Sequence, residues 1–284
     1  MDYRTLGTSQ LSVSEVGLGT WAMGNDFWGQ VDDEQSIRAI QEALDSGINL
    51  IDTAPAYGAG HAEELVGKAI QGRRDDVVLA TKVGILRSED DFIHELSPES
   101  MRREVEDSLR RLGVETIDLY QIHWPDPDTP LEDSMVELRK MKDAGKIRYI
   151  GVSNFTVELL RQARELAEVV SVQPQYSLLH RKEESSLLPY CAKNKIGVLG
   201  YGSLAGGILT GKFRDIPDFE EDEQIEADET MKWDEEEDEE GDEEDDFDLE
   251  ERDGEEEEDD EVALEDEDDA EAEESPTRGR LRRK

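Results

Sequence analysis

Residues 49–70 read NLIDTAPAYGAGHAEELVGKAI. A short apolar run, Ile48–Ile51, reads as a strand. Asp52 and Tyr57 stand in the loop that follows, and the segment from about His61 onward has helical spacing. Strand, polar loop and helix within so few residues make one βα unit. The same rhythm recurs: Val16–Gly19, Val77–Thr81, Ile117–Ile122, Ile147–Val152, Val169–Pro174 and Gly197–Gly200 are further continuous apolar runs. Such runs, apolar at every position rather than at alternate ones, are expected of parallel strands buried on both faces. Their starts lie about 22 to 40 residues apart, close to one βα unit each.

The intervening segments carry helix signals. Ile37, Ile40 and Leu44 share one face and Gly47 stops the run. Ser97-Pro98 supplies an N-cap and a first-turn proline, and that helix ends at Gly113. Residues 131–145 put Met135, Leu138 and Met141 on one face and end at Gly145. Ahead of all these, residues 3–16 alternate around Gly7-Thr8-Ser9 and predict a short hairpin. Seven βα repeats predict a (β/α) barrel. A doubly wound sheet is the rival, but Gly17, Gly19 and Gly24 do not form the G-x-G-x-x-G turn that it favours after its first strand.

In a barrel the reacting groups stand at the C-terminal strand ends. The expected second, third and fourth strands end in IDTAPAYG, LATKVG and LYQIHWPD, which present Asp52 and Tyr57, Lys82, and His123. A free phenol titrates near 10, and a neighbouring ammonium lowers that value. Lys82 can supply the charge, Asp52 can hold Lys82 protonated and aimed, and His123 can orient a carbonyl. The set suits protonation of an oxygen while another species attacks the carbon.

These segments resemble the aldo-keto reductase family. The resemblance is carried by residues 49–70, GLGTW (17–21), LATKVG (79–84), DLYQIHWPD (118–126) and IGVSN (150–154), in family order from residue 3 to about residue 213. It implies an eight-stranded (β/α)8 barrel of the TIM type. The implied chemistry is hydride transfer between NADP(H), with NAD(H) not excluded, and an aldehyde or ketone or the matching alcohol or sugar. The implied catalytic residues are Asp52, Tyr57, Lys82 and His123, with Tyr57 as general acid and base. For the cofactor the resemblance implies Gly19, Thr20, Trp21, Asp52, Ser153, Asn154, Gln173 and Tyr201, the last stacking on the nicotinamide. Ser203, Leu204, Gly206 and Lys212 are implied in a loop, residues 203–212, around the pyrophosphate. Trp21, Tyr57, His123 and Trp124 are expected to line the substrate pocket, with Met23, Phe27 and Trp28 as further apolar walls. The other histidines, His61, His94 and His180, are given no role. No Cys/His cluster has metal-ligand spacing, so no metal is expected.

Charge divides the chain. Residues 1–213 hold 34 acidic and 23 basic side chains, net −11, and residues 214–284 hold 40 and 8, net −32, within a total of −43. The second stretch, with runs such as EEEDEEGDEEDD, cannot bury enough apolar surface to offset the entropy of ordering, so a disordered acidic tail is expected. The barrel is therefore expected to be incomplete after its seventh strand, and activity to be impaired. A binding or regulatory protein with a reductase-like body and weak or no turnover is the alternative, its tail engaging a basic protein partner. The acidic balance argues against nucleic acid. No run of 18 apolar residues predicts a membrane span, residues 1–16 lack a signal-peptide pattern, and the single Cys191 fits a reducing cytoplasm.

Overall fold

The computed structural model describes residues 1–25, 29, 31–87 and 92–212. The expected acidic tail, and Phe27 and Trp28, lie outside the described residues.

The chain opens with the expected hairpin, β1 (Tyr3–Thr5) against antiparallel β2 (Ser12–Ser14). Seven parallel strands follow: β3 (Leu18–Gly19), β4 (Leu50–Asp52), β5 (Val78–Val83), β8 (Ile117–Ile122), β9 (Ile147–Ser153), β10 (Val169–Gln173) and β11 (Gly197–Val198). Between β5 and β8 a second hairpin, β6 (Ile85–Arg87) with β7 (Phe92–His94), forms a sheet of its own. The helices are α1 (Asp33–Asp45), α2 (His61–Ala69), α3 (Pro98–Leu112), α4 (Leu131–Asp143), α5 (Val157–Leu166) and α6 (Leu187–Asn194). No helix among the described residues is long and apolar enough to cross a membrane.

Strand order decides between the two expected folds. The main sheet runs β3-β4-β5-β8-β9-β10-β11, every neighbour in chain order. A doubly wound sheet must reverse direction at a switch point; this one never does. It is the curled sheet of a TIM-type (β/α) barrel, seven strands among the described residues.

Local signals hold the helices in place. Asp32 caps α1 by accepting from the Gln35 N–H, Ser97 caps α3 ahead of Pro98, and Thr156 caps α5 by accepting from Leu159. Gly113 ends α3 at φ 66°, the left-handed turn that glycine adopts without a Cβ penalty. Ile40, Leu44, Met101, Val105, Met135, Leu138 and Leu160 face the sheet in the main apolar cluster with Ile51, Leu79, Tyr120 and Ile122.

A second, smaller cluster fills the inside of the curl. Leu6, Leu11 and Val13 of the first hairpin pack with Leu50, Ala80, Leu119 and Val170. The hairpin thus plugs the N-terminal end of the barrel. The fit is close at Gly7, where a Cβ would lie 2.1 Å from the Val170 carbonyl oxygen. The two-residue period of a strand then puts Asp52 one step above Leu50, Lys82 above Ala80 and Gln121 above Leu119. Polar chemistry therefore begins where the apolar plug ends.

Candidate active site

Lys82 is the centre of the site, its side chain 1 % exposed. Its ammonium donates to Asp52 Oδ2 at 2.6 Å, to the Thr53 carbonyl oxygen at 3.1 Å and to the Tyr57 hydroxyl oxygen at 3.1 Å. An ammonium has three donors, so all three are used. The second carboxylate oxygen, Asp52 Oδ1, accepts from Gln173 Nε2 at 3.0 Å and from Gln121 Nε2 at 3.2 Å. Asp52 is fixed from behind as well: its carbonyl oxygen accepts from the Thr20 N–H and from Thr20 Oγ1.

Two aromatic rings stand beside the phenol. The His123 ring meets Tyr57 edge-on, centroids 5.8 Å apart at 85°, and Trp21 lies 6.4 Å away. Trp124 stacks on His94 at 6.3 Å and 17°. Met23, expected as a pocket wall, is partly buried and packs against the main core cluster.

Electrostatics modify the sequence expectation for Tyr57. Burial raises its phenol above the usual value; Lys82 pulls it down, Asp52 pushes it up, and the net direction is upward. The free tyrosine is therefore neutral at neutral pH, and the lowering expected from Lys82 is outweighed by burial. Burial disfavours the Lys82 cation, yet Asp52 and Tyr57 together hold its value above the ordinary one. Burial, and then the charges of Lys82 and His94, push His123 well below the usual histidine range. Its ring is neutral.

The expected cofactor residues gather at the same strand ends. Ser153 Oγ donates to the Gln173 carbonyl oxygen at 2.8 Å. Asn154, at φ 59°, donates to the His123 carbonyl oxygen at 3.0 Å and to Ser153 Oγ at 3.1 Å, and accepts from the Tyr201 hydroxyl at 2.9 Å. The N-cap of α5 is Thr156, so Asn154 is left free of that duty. Gly19 ends β3 beside Asp52, its register partner. Ser203, Leu204, Gly206 and Lys212 lie farther out, in the exposed stretch after β11. There Gly202, Gly206, Gly207 and Gly211 all have positive φ, and a Cβ on Gly206 would meet nothing within 4 Å. That backbone is open to close approach by a phosphate.

Two residues escaped the sequence reading. Gln121 was hidden inside an apolar run; the signal was its place two residues before His123, on the inward side of the strand. His94 reaches Trp124 only through the β6–β7 hairpin. Among the described residues no group of three or more His, Cys, Asp or Glu could hold a metal ion.

Comparison with known proteins shows the family and the fold. The profile of the aldo/keto reductase family matches residues 15–245, farther along the chain than the motifs quoted above. The NADH-specific methylglyoxal reductase of Escherichia coli (strain K12) is 41 % identical over 222 residues, which cover 72 % of this chain and 68 % of that protein. The solved structure of the glycerol dehydrogenase of Gluconobacter oxydans superposes with a TM-score of 0.73 at 46 % identity, covering 78 % of this chain and 69 % of that one. An aldo/keto reductase from Klebsiella pneumoniae, solved in complex with NADP and acetate, gives 0.62 at 35 % identity over 76 % and 72 % of the two chains.

Proposed function

The chain belongs to the aldo/keto reductase family, and on that premise we propose that it transfers hydride between NADP(H) or NAD(H) and a small aldehyde or ketone, or the corresponding alcohol or sugar, with Tyr57 as the general acid and base. The carrying observation is the Lys82–Tyr57 hydrogen bond, 3.1 Å long. Because Lys82 can only donate, the phenol oxygen accepts from it. The phenol's own proton then points elsewhere, free for a carbonyl oxygen.

The site residues fit a dinucleotide. Ser153, Asn154 and Gln173 offer amide and hydroxyl groups, Tyr201 offers a ring, and the glycines after β11 offer open backbone. When bound, the cofactor supplies the hydride to the carbonyl carbon. Neutral His123 orients the carbonyl oxygen toward Tyr57. As negative charge develops on that oxygen, the Tyr57 proton moves to it, and Lys82 stabilises the phenolate left behind. In the oxidative direction the same phenolate takes the alcohol proton. Asp52 keeps Lys82 charged and in place throughout. Trp21, whose ring lies 6.4 Å from that of Tyr57, and Trp124 add apolar surface for the substrate.

The names of relatives suggest first probes. Methylglyoxal with NADPH or NADH, and glycerol with NADP or NAD, test reduction and oxidation in turn. The expected result with the native chain is a fall at 340 nm as methylglyoxal consumes NAD(P)H and a rise as glycerol oxidation forms it, with neither change for Tyr57→Phe, while NAD(P)H fluorescence still reports binding to both. Equal turnover by native and Tyr57→Phe chains would remove the assignment of Tyr57.

A further inference from the structure

Strand register lays four residues side by side across the inside of the curl. Lys82 on β5 pairs with Gln121 on β8, Gln121 with Gly151 on β9, and Gly151 with Ser171 on β10. Gly151 is what makes room in this layer. A Cβ there would come within 3.0 Å of Gln121 Cγ and 2.7 Å of Ser171 Oγ. The Gln121 side chain occupies that room, fully buried.

The direction of its amide follows from chemistry. A carboxylate only accepts, so the NH2 group faces Asp52 Oδ1 and the carbonyl oxygen faces away. That oxygen is buried and has no hydrogen-bond partner among the described residues. An unmet buried acceptor costs about 1–3 kcal/mol. An apolar side chain of the same volume would fill this layer without that penalty. The contact with Asp52 is what Gln121 has in return.

Gln173 shares the same carboxylate oxygen at 3.0 Å, but it ends β10 and is 6 % exposed where Gln121 is 0 %. In the reading given above, Gln173 also faces the dinucleotide. Gln121, one layer in on β8, is the hold that remains when Gln173 turns to a ligand.

We infer that Gln121 is a positioning residue that pins Asp52 Oδ1, so that Oδ2 stays turned to Lys82 and Lys82 stays against Tyr57. This rests on the proposal that Tyr57 is the proton donor. Gln121 touches neither substrate nor cofactor; it acts through Asp52.

Two variants test it in the full chain. Gln121→Met matches the volume without the donor. Gln121→Asn keeps the amide but stops a methylene short of Asp52, and it serves if the first variant fails to fold. One readout is the ultraviolet titration of the Tyr57 phenol, taken as the difference from Tyr57→Phe in each background. The other is kcat and KM for methylglyoxal across pH. With Lys82 held less firmly, the phenol titrates at higher pH, the alkaline limb of kcat moves the same way, and kcat falls about tenfold with KM near native. A native phenol titration in the variants overturns the inference, even if turnover falls, because a merely structural role would leave the phenol unmoved. A native chain that reduces no carbonyl would refute the proposed function instead, and the phenol titration would still decide the role of Gln121.

Discussion

Lys82 Nζ lies 2.6 Å from Asp52 Oδ2, with the lysine side chain 1 % and the aspartate side chain 17 % exposed. Breaking a buried pair by removing one member leaves the other charge uncompensated, at a cost of about 3–5 kcal/mol. Lys82→Met is therefore expected to lose that order of stability in urea denaturation and to slow carbonyl reduction by about 100-fold or more. A variant with native stability would mean that Asp52 finds water in the folded state.

His123 is expected to stay neutral well below the pH at which a free imidazole protonates, because burial and the Lys82 charge oppose a second cation. A ring whose folded value is depressed contributes stability above its unfolded value, about 6.5, and that contribution is lost as pH falls. Nitrogen-15 NMR of the histidine rings checks this directly. Protonation of His123 near 6.5 would contradict the buried setting described here.

Glu104 gives the opposite dependence. Burial is the main cause that raises it to about 7, against hydrogen bonds from the Gly84 N–H and Ser100 Oγ and the charge of Arg103, with Glu95 adding to the rise. A carboxyl whose folded value exceeds its unfolded one, about 4.3, destabilises as pH rises between the two. The native chain should lose about 3–4 kcal/mol relative to Glu104→Gln between about pH 4.3 and 7, and little more above that. Denaturant midpoints of the two chains across pH measure the difference. Parallel curves would show that Glu104 titrates alike in the folded and unfolded chain.

Asp118 marks the other end of the barrel. It is 1 % exposed, accepts from the Leu79 N–H at 2.8 Å, and pairs with Arg74 at 2.7 Å and Arg148 at 2.8 Å. Asp118→Ala should lower the melting temperature by several degrees, the loss of a buried charge with two partners. Turnover measured well below the melting point should remain close to native, since Asp118 lies three residues before Gln121 on the plugged side. A large fall in kcat without a fall in melting temperature would contradict this division of labour.

Much of the fold was legible because parallel strands buried on both faces leave unbroken apolar runs. The bounds moved where pairing, not composition, decides them. The run read as Ile48–Ile51 is the strand Leu50–Asp52, because Asp52 pairs with Gly19 and Ala80. The β6–β7 hairpin was not legible: each arm has three residues, and GILRSEDDFIHE offers no clear alternation. With it went the stack of His94 on Trp124. That Asp52, Tyr57, Lys82 and His123 would lie together could be read because their motifs are specific. The direction in which Tyr57 is shifted could not, since it depends on burial, which no local pattern records. Gln121 was overlooked because an inward amide in an apolar strand looks like a tolerated exception until the carboxylate above it is seen.

The hairpin at the start of the chain makes the barrel a well and not a pipe. Among the described residues the plug shuts one end, so anything that comes to Tyr57 uses the rim opposite it. Two guests that share one doorway must queue: the one lodged deeper loads first, and the shallower one leaves before it. Narrowing that rim would slow departures long before it touched the chemistry beneath.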